Sequence, residues 1–278
     1  MRIIEWPEFL ENALPEGEKN SAVTVGVFDG LHRGHKALIQ RVVQREDGAV
    51  PVVVTFKRGC HKKAQGGGRE YPGDILSSRQ KMAAFEGLGV SVTIVIEFSE
   101  SFRRMSGADF LSILQDRAKM SFLAVGSNFR CGYQLDTDAL AIQSLNARRN
   151  IPTAVVPVLM EGPAQISSSH IRAAISRGEL KTAEAMLGYP FTLDLAGAPA
   201  LPSGKAAGGV AYDVSSQGRV LPPPGRYAAR LASGGKPEGR ERKPGGILVD
   251  GGCVIIGEGH ADGLARPEYV EFLTALSV

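Results

Sequence analysis

The chain has 278 residues, a formal net charge of +3, 22% charged side chains and 43% apolar side chains. This length allows one large domain or two smaller ones, and the composition is typical of a soluble globular protein. The small net charge and the lack of an arginine-rich stripe argue against nucleic acid as a partner. No apolar run approaches the roughly 20 residues that cross a bilayer, which argues against a membrane protein.

The N-terminal segment and the cysteines indicate the compartment. The first twenty residues contain five glutamates and no apolar segment of the kind found in signal peptides. Cys60, Cys131 and Cys253 are widely spaced, which is typical of a reducing compartment rather than of a disulfide framework. We therefore expect a cytoplasmic protein.

Apolar runs alternate with segments of helical periodicity from residue 23 to residue 159. The runs predict strands at 23–28, 50–56, 92–98, 122–126 and 153–159. The intervening segments predict helices at 35–45, 78–88, 108–119 and 137–149. This alternation predicts an α/β fold, with a five-stranded parallel sheet between two layers of helices and ligands at the carboxyl ends of the strands.

The first predicted strand runs into the sequence GVFDGLHRGH at 26–35, which we interpret as a phosphate site. Gly30 and Gly34 permit close approach of a ligand, and the helix that begins here offers unpaired N–H groups. His32 and His35 lie three residues apart and can point to one side. Two such donors suit a phosphate whose oxygens gain charge during substitution, so we expect nucleotidyl transfer. The alternatives are two surface histidines or a zinc site, although no i,i+4 pair or third nearby ligand supports zinc.

The whole 26–35 segment, including Phe28 and Asp29, resembles the signature of the nucleotidyltransferase superfamily that includes the bacterial FAD synthetases. A second segment, ISSSHIR at 166–172, is similar to the Ser-Ser-Thr-x-x-Arg motif of that family, with Ser169 in place of threonine. Serine hydroxyls and a guanidinium one turn later can form a second phosphate clamp. The alternative is a helix that is simply capped by serine.

Three further segments bear on the substrate site. The loop at 125–132 is similar to the family's Val-Gly-x-Asp/Asn-Phe-x-x-Gly loop, in which Asn128 would contact a base or flavin edge, or would belong to an ordinary turn. Phe98 and Phe102 match positions of flavin-contacting aromatics, but such a pair could equally be core. The segment 57–61 lacks the two prolines usual in the family, so it is either a charged loop near the phosphates or a mobile one.

The composition changes after Tyr189, because residues 189–278 hold 16 of the 34 glycines and 9 of the 16 prolines. Short strands are predicted at 209–214, 226–231, 247–249 and 253–257, with a final helix near 267–276. We therefore predict two domains, at 1–188 and 189–278, the second being a small β-barrel-like domain. In the family this position holds a riboflavin kinase domain. The strand at 221–230 resembles that domain, but its Pro-Thr-Ala-Asn signature has no match between Leu195 and Val220.

The resemblance implies a Rossmann-like nucleotidyltransferase domain that transfers AMP from ATP to FMN, giving FAD and pyrophosphate, with Mg²⁺ bridging the phosphates. His32 and His35 would hold the α-phosphate as catalytic residues with Arg172, which would hold the departing phosphates. Asp29 would orient backbone rather than act as a base. The residues predicted to bind the substrates are Gly26, Phe28, Asp29, Gly30, Gly34, Phe98, Phe102, Asn128, Ser167, Ser168 and Ser169.

The degenerate signature predicts that riboflavin kinase activity is absent. Two other functions stay open at this stage. One is a related adenylyltransferase that acts on nicotinamide mononucleotide or phosphopantetheine, although such enzymes are commonly smaller and lack the Phe-Asp-Gly prelude. The other is a flavin- or nucleotide-binding protein without catalysis. The oligomeric state does not follow from the sequence.

Overall fold

The computed structural model describes residues 1–14, 20–57, 72–201, 209–233, 242–257 and 267–276. The chain divides into two compact units. The first contains the described residues of Met1–Phe28, Gly34–Gly68 and Ala84–Met160, and the second contains those of Asp29–Arg33, Arg69–Ala83 and Glu161–Val278. Two stretches of the N-terminal half, one of them part of the 26–35 motif, thus belong to the same unit as Glu161–Val278.

A parallel sheet forms the centre of the first unit. Its described strands are β1 (Arg2–Glu5), β2 (Ser21–Val25), β3 (Val50–Phe56), β4 (Val92–Ile96), β5 (Met120–Gly126) and β8 (Thr153–Val156), in the order β1-β4-β3-β2-β5-β8. The predicted α/β class is confirmed, but five was one strand too few. The missed strand, β1, pairs with β4 from Arg2 to Glu5 at the sheet edge, and its four residues are too short to show a period.

Helices and short elements connect these strands. The described helices are α1 (Trp6–Asn12), α2 (Arg33–Val43), α3 (Ser78–Gly87), α4 (Glu100–Arg103), α5 (Gly107–Ala118), α6 (Ala139–Ala147), α7 (Ser168–Ser176) and α8 (Leu180–Leu187). Two-residue strands lie at β6 (Arg130–Cys131), β7 (Thr137–Asp138), β9 (Met160–Glu161) and β10 (Ala164–Gln165). No helix in these described ranges has the length and apolar character of a membrane span.

Both faces of the parallel sheet are buried. Val23 and Val25 of β2 belong to one apolar cluster, whereas Ala22 belongs to another. Successive side chains of a strand point to opposite faces, so the two clusters lie on opposite sides of the sheet. Polar side chains therefore have room mainly in the turns that follow the strands.

The second unit contains an antiparallel sheet, consistent with the predicted barrel-like domain. Its described strands are β11 (Thr192–Asp194), β12 (Ala200–Leu201), β13 (Val210–Asp213), β14 (Gly225–Ala232), β15 (Arg242–Asp250), β16 (Cys253–Ile256) and β17 (Tyr269–Ala275), in the order β11-β17-β14-β15-β16-β13-β12. The longest pairing joins β14 to β15, from Gly225 opposite Val249 to Ala232 opposite Arg242.

Two local predictions are wrong. The final segment forms β17 rather than a helix, because it pairs with both β14 and β11 and buries Tyr269, Val270 and Phe272. Such pairing is decided by distant segments and overrides local periodicity. The first predicted strand ends at Val25 rather than Phe28, because Phe28 has a φ of 54°. Most of the 57–61 segment lies outside the described residues.

Candidate active site

The turn after β2 has an unusual backbone. Phe28, Gly30 and Leu31 have φ values of 54°, 82° and 39°. Two of these residues carry a Cβ, which makes the left-handed region unfavourable unless the surroundings over-determine it. A Cβ on Gly26 would lie 3.0 Å from the Phe28 ring, so glycine at that position lets the ring fold back over the end of the strand.

Phe28 is fully buried and holds an aromatic contact with His35. The two ring centroids lie 5.2 Å apart at 75°, and Phe85 meets Phe28 edge-on from 5.7 Å. His35 lies half-buried in the first turn of α2. The packed Phe28 ring restricts the imidazole, so Phe28 supports the predicted phosphate ligand from behind.

Asp29 anchors the next part of the turn. Its carboxylate accepts hydrogen bonds from the backbone N–H groups of Ile75 and Leu76, each at 3.0 Å. It also receives Nη2 of Arg172 at 2.6 Å, and both side chains are buried. These contacts tie the Asp29 carboxylate to the backbone of the 73–76 segment and to Arg172, and they occupy its oxygens with three donors.

Arg172 and Ser168 connect the second motif to the first. Nε of Arg172 donates to the carbonyl of Gly73 at 2.9 Å, in addition to its pair with Asp29. The Ser168 hydroxyl donates to the Asp29 carbonyl at 2.7 Å. The structure thus brings these two motifs, which lie about 140 residues apart in the chain, into one buried network.

The other serines lie at the start of α7. The Ser167 side chain caps the helix by accepting from the N–H of His170 at 3.3 Å. Ser169 is exposed in the first turn. The capped-helix interpretation of Ser167 is therefore correct, and it leaves the N-terminal N–H groups of an amphipathic helix beside Ser168.

His32 is held as a neutral side chain. Burial lowers its pKa from 6.5 to about 4, and the nearby Asp29 carboxylate opposes this only in part. The imidazole therefore carries a single N–H donor at neutral pH in the absence of a bound anion. His32 directly precedes α2, and the positive end of the helix dipole there also disfavours protonation of the His32 imidazole.

The remaining predicted residues lie at the carboxyl ends of the parallel strands. Asn128 is exposed just beyond β5, and a Cβ on Gly126 would meet its Oδ1 at 3.2 Å. Phe98 follows β4 and contacts Phe56 and Phe102, with centroids 5.5 Å and 5.4 Å away. Phe102 is half-buried and packs against the apolar core.

Comparison with known proteins identifies the family. Residues 14–170 match the model of the FAD synthetase family. The chain belongs to the FAD synthetase family. A protein of Escherichia coli K12 described as a bifunctional riboflavin kinase/FMN adenylyltransferase is 29% identical over 242 residues, covering 85% of this chain and 75% of its own. A Listeria monocytogenes FAD synthetase is 28% identical over 180 residues, covering 64% of this chain and 72% of its own.

A solved structure agrees with the fold. A protein from Streptococcus pneumoniae described as a macrolide-efflux protein has a TM-score of 0.81 and 19% identity, and the match covers 99% of this chain and 91% of that one. At this identity the likeness concerns the fold alone. The resemblance drawn from the two motifs is confirmed by the family match, and so is the class of enzyme, a nucleotidyltransferase.

The sequence did not reveal every residue that shapes this FAD synthetase-family site. Tyr189 is half-buried and donates from its hydroxyl to the carbonyl of Gly30. The segment 73–76 supplies two N–H donors to Asp29 and one carbonyl to Arg172. A lone tyrosine and a short loop carry no motif, so only the tertiary structure reveals these partners.

Proposed function

We propose that this protein transfers AMP from ATP to FMN, producing FAD and pyrophosphate. The observation that carries the proposal is the buried network in which Arg172 and Ser168 of the second motif hold Asp29 of the first. Such a network keeps two segments with phosphate-binding character in a fixed relation. Family membership supplies the chemistry that these segments are expected to perform.

In the proposed reaction an oxygen of the FMN phosphate attacks the α-phosphorus of ATP. A new P–O bond forms there, the bond to the bridging oxygen breaks, and the electron pair leaves with pyrophosphate. The attacking phosphate is already ionised at neutral pH, so no general base is required. Positioning and stabilisation of the developing charge supply most of the rate.

His32 and His35 are proposed to hold the α-phosphate. Because burial keeps His32 neutral, it donates a hydrogen bond without the cost of a buried positive charge. His35 lies in the first turn of α2, where backbone N–H groups and the helix dipole favour an anion. The contact with the Phe28 ring limits the rotation of the His35 imidazole, so the imidazole needs little reorientation when the transition state forms.

The departing phosphates are assigned to the start of α7. The Ser167 hydroxyl and the N–H groups of the first turn can donate to their oxygens, whereas the single hydroxyl proton of Ser168 is committed to the Asp29 carbonyl. Arg172 is committed to Asp29 and Gly73, so its charge is fixed in place before substrate binds. A preorganised charge needs little rearrangement during the reaction.

Magnesium is proposed to enter with ATP as part of the substrate. Three donors occupy the Asp29 carboxylate, and no group of three or more His, Cys, Asp or Glu side chains in the described ranges could hold a metal ion. Mg²⁺ commonly binds through substrate phosphates and water rather than in an all-protein cage. On this basis we propose that the metal is supplied together with ATP.

The flavin is assigned to the carboxyl edge of the parallel sheet. Phe98 is half-buried just beyond β4, and Asn128 is exposed beyond β5. In the strand order, β3 and β5 lie on opposite sides of β2, and ligands of α/β sheets bind at such a point of reversal. FMN and ATP are the proposed partners, in a cytoplasmic location.

We also propose that this protein does not phosphorylate riboflavin, and that residues 189–278 form a degenerate kinase domain. The kinases of the family place magnesium–ATP with a threonine and an asparagine. The segment after residue 188 contains no asparagine, and its only threonine near the expected position is Thr192, upstream of the interval. Loss of these ligands removes both positioning and charge neutralisation.

One set of incubations tests these proposals. Purified protein is supplied with ATP, Mg²⁺ and, separately, FMN, nicotinamide mononucleotide, phosphopantetheine or riboflavin, and the products are separated by chromatography. We expect FAD and pyrophosphate with FMN alone. An adenylylated product formed only from nicotinamide mononucleotide or phosphopantetheine would identify a related adenylyltransferase. Binding of FMN in a fluorescence titration, without any product, would identify a non-catalytic protein. FMN or FAD formed from riboflavin would refute the loss of kinase activity.

A further inference from the structure

We propose that Arg219 is a positioning residue for AMP transfer, because it holds the segment 73–76 that in turn anchors Asp29 and Arg172. This inference rests on the proposed function. It gives the predicted C-terminal domain a task that is independent of any kinase chemistry, since Arg219 lies in that domain, between a short 3₁₀ turn at Ser215–Gln217 and β14.

Arg219 is buried, with 6% of the residue exposed, and its guanidinium contacts the segment 73–76 and the helix that follows it. Nε donates to the Asp74 carbonyl at 3.1 Å, and Nη2 donates to the Ile75 carbonyl. Nη2 also donates to Oε1 of Gln80 at 3.0 Å. A single planar group therefore fixes two successive carbonyls and the side chain of the helix that follows.

The backbone around Arg219 pairs with the same segment. Asp74 and Arg219 form a parallel β-bridge, in which the Asp74 N–H donates to Gly218 at 2.9 Å and the Val220 N–H donates to Asp74 at 3.1 Å. Gly73 has a φ of 106°, and a Cβ there would lie only 2.4 Å from the carbonyl carbon of Arg219. This close approach requires glycine.

The other side of the segment faces the active-site turn. The N–H groups of Ile75 and Leu76 donate to Asp29, and the carbonyl of Gly73 accepts from Arg172. Carbonyls that point to Arg219 thus alternate with N–H groups that point to Asp29. A shift of the segment would move both members of the Asp29–Arg172 pair, and a displacement of about 1 Å can reduce turnover by up to about 100-fold.

The start of α3 reinforces this arrangement. Ser77 and Gln80 form a reciprocal cap, in which the Ser77 N–H donates to Oε1 of Gln80 at 2.9 Å and the Gln80 N–H donates to the Ser77 hydroxyl at 3.1 Å. Since Arg219 donates to the same Oε1, it joins the loop to the helix cap. The segment is therefore held at its loop and at its helical end by one side chain.

The neighbouring Arg79 offers a matched control. It joins the same helix to the sheet through Asp194, at 2.6 Å, and through Glu268, yet it donates none of the hydrogen bonds that the structure shows to residues 73–76. Arg79→Gln should therefore lower stability without moving the anchor of Asp29. Arg219→Gln should lower stability and should also move the anchor of Asp29.

The experiment compares wild type, R219Q, R219K, G73A and R79Q in the full-length chain. Steady-state AMP transfer gives kcat and the KM for FMN, thermal unfolding gives stability, and NMR-detected hydrogen exchange reports the amides of Ile75 and Leu76. We expect R219Q and G73A to lower kcat by about 10-fold with the KM for FMN within about twofold, and to raise the exchange rate of both amides by at least about 10-fold.

We expect R219K to lie between R219Q and wild type, because an ammonium cannot donate in the planar pattern of a guanidinium, and R79Q to keep the wild-type kcat. Equal kcat values for R219Q and R79Q, or unchanged exchange at Ile75 and Leu76, would overturn the inference. If R219Q does not fold, R219K and G73A decide by the same criteria. Failure of wild type to form FAD would refute the proposed function alone, since the exchange measurement still tests the anchor.

Discussion

The two sheets of this protein show different relations between burial and chemistry. Every residue of β2 and β4 in the parallel sheet is buried, whereas β14 in the antiparallel sheet alternates, with Tyr227, Ala229 and Leu231 buried and Arg226 and Arg230 exposed. The polar side chains buried within these two strands are the small hydroxyls of Ser21, Thr24 and Thr93, and those of Ser21 and Thr24 donate to backbone carbonyls. The chemistry of the parallel sheet is therefore confined to the turns at the carboxyl ends.

The antiparallel sheet and the turn that precedes β14 contribute structural contacts to the start of α3. The residues of this sheet carry no recognisable catalytic motif, yet Arg219 and Asp194 reach the segment that begins α3. Residues outside the two motifs can therefore stabilise a site that the motifs form. This comparison predicts large kinetic effects for side chains in the turns after the parallel strands, and smaller effects for those that only pack.

The largest effect is expected at the first turn of α2. His35→Ala should lower kcat by on the order of 100-fold with little change in FMN binding, because the lost hydrogen bond acts mainly in the transition state. Steady-state kinetics with FMN and magnesium–ATP measure this. His170→Ala, at an exposed histidine of α7, serves as the control and should keep nearly full activity. Intact turnover in His35→Ala would exclude this phosphate-site assignment.

A smaller kinetic effect is expected from Arg172→Lys, about 10-fold or more in kcat. A lysine cannot donate to both the Gly73 carbonyl and the Asp29 carboxylate in the planar pattern of a guanidinium. The matched control is Arg177→Lys, at an exposed residue just beyond the same helix. Equal kinetics in the two variants would mean that Arg172 contributes charge without geometry.

His32 should make the stability depend on pH. Its folded pKa of about 4 lies below the unfolded value near 6.5, so the unfolded state binds more protons between these values and stability falls as the pH decreases through that window. The contribution is about 1.4 kcal/mol per pH unit, or about 2 kcal/mol between pH 7 and pH 5. Urea unfolding of wild type and His32→Asn should therefore converge by this amount at low pH. Parallel curves would contradict the buried neutral state.

The smallest effect separates flavin binding from core packing at Phe98. Phe98→Leu should raise the Kd for FMN about fivefold, since an aromatic contact contributes about 1 kcal/mol, with little loss of stability. Phe102→Leu, which alters a ring packed on the core, should instead lower the free energy of unfolding by about 1 to 2 kcal/mol. Fluorescence titration with FMN and thermal unfolding measure the two quantities. The reverse pattern would place Phe98 in the core.

Local sequence patterns were enough to predict the fold class and to recognise the two motifs. Valine-rich runs alternating with amphipathic segments indicate a parallel sheet because local periodicity depends only on neighbouring residues. The string from Gly26 to His35 and the serines before Arg172 are likewise local, and they were sufficient to indicate the family that the comparison then identified. The same local reasoning failed for 269–275, where pairing with β11 and β14 decides the conformation.

The contacts that hold the two motifs in place are visible only in the tertiary structure. The partner of Arg172 is Asp29, 143 residues away, and the loop at 73–76 joins both to Arg219. No spacing rule links such positions, because their contact depends on how whole elements pack. The neutral state of His32 is also a property of its burial, which the residue type does not encode. The two motifs could therefore be recognised from local patterns, whereas the contacts that hold them depend on long-range packing.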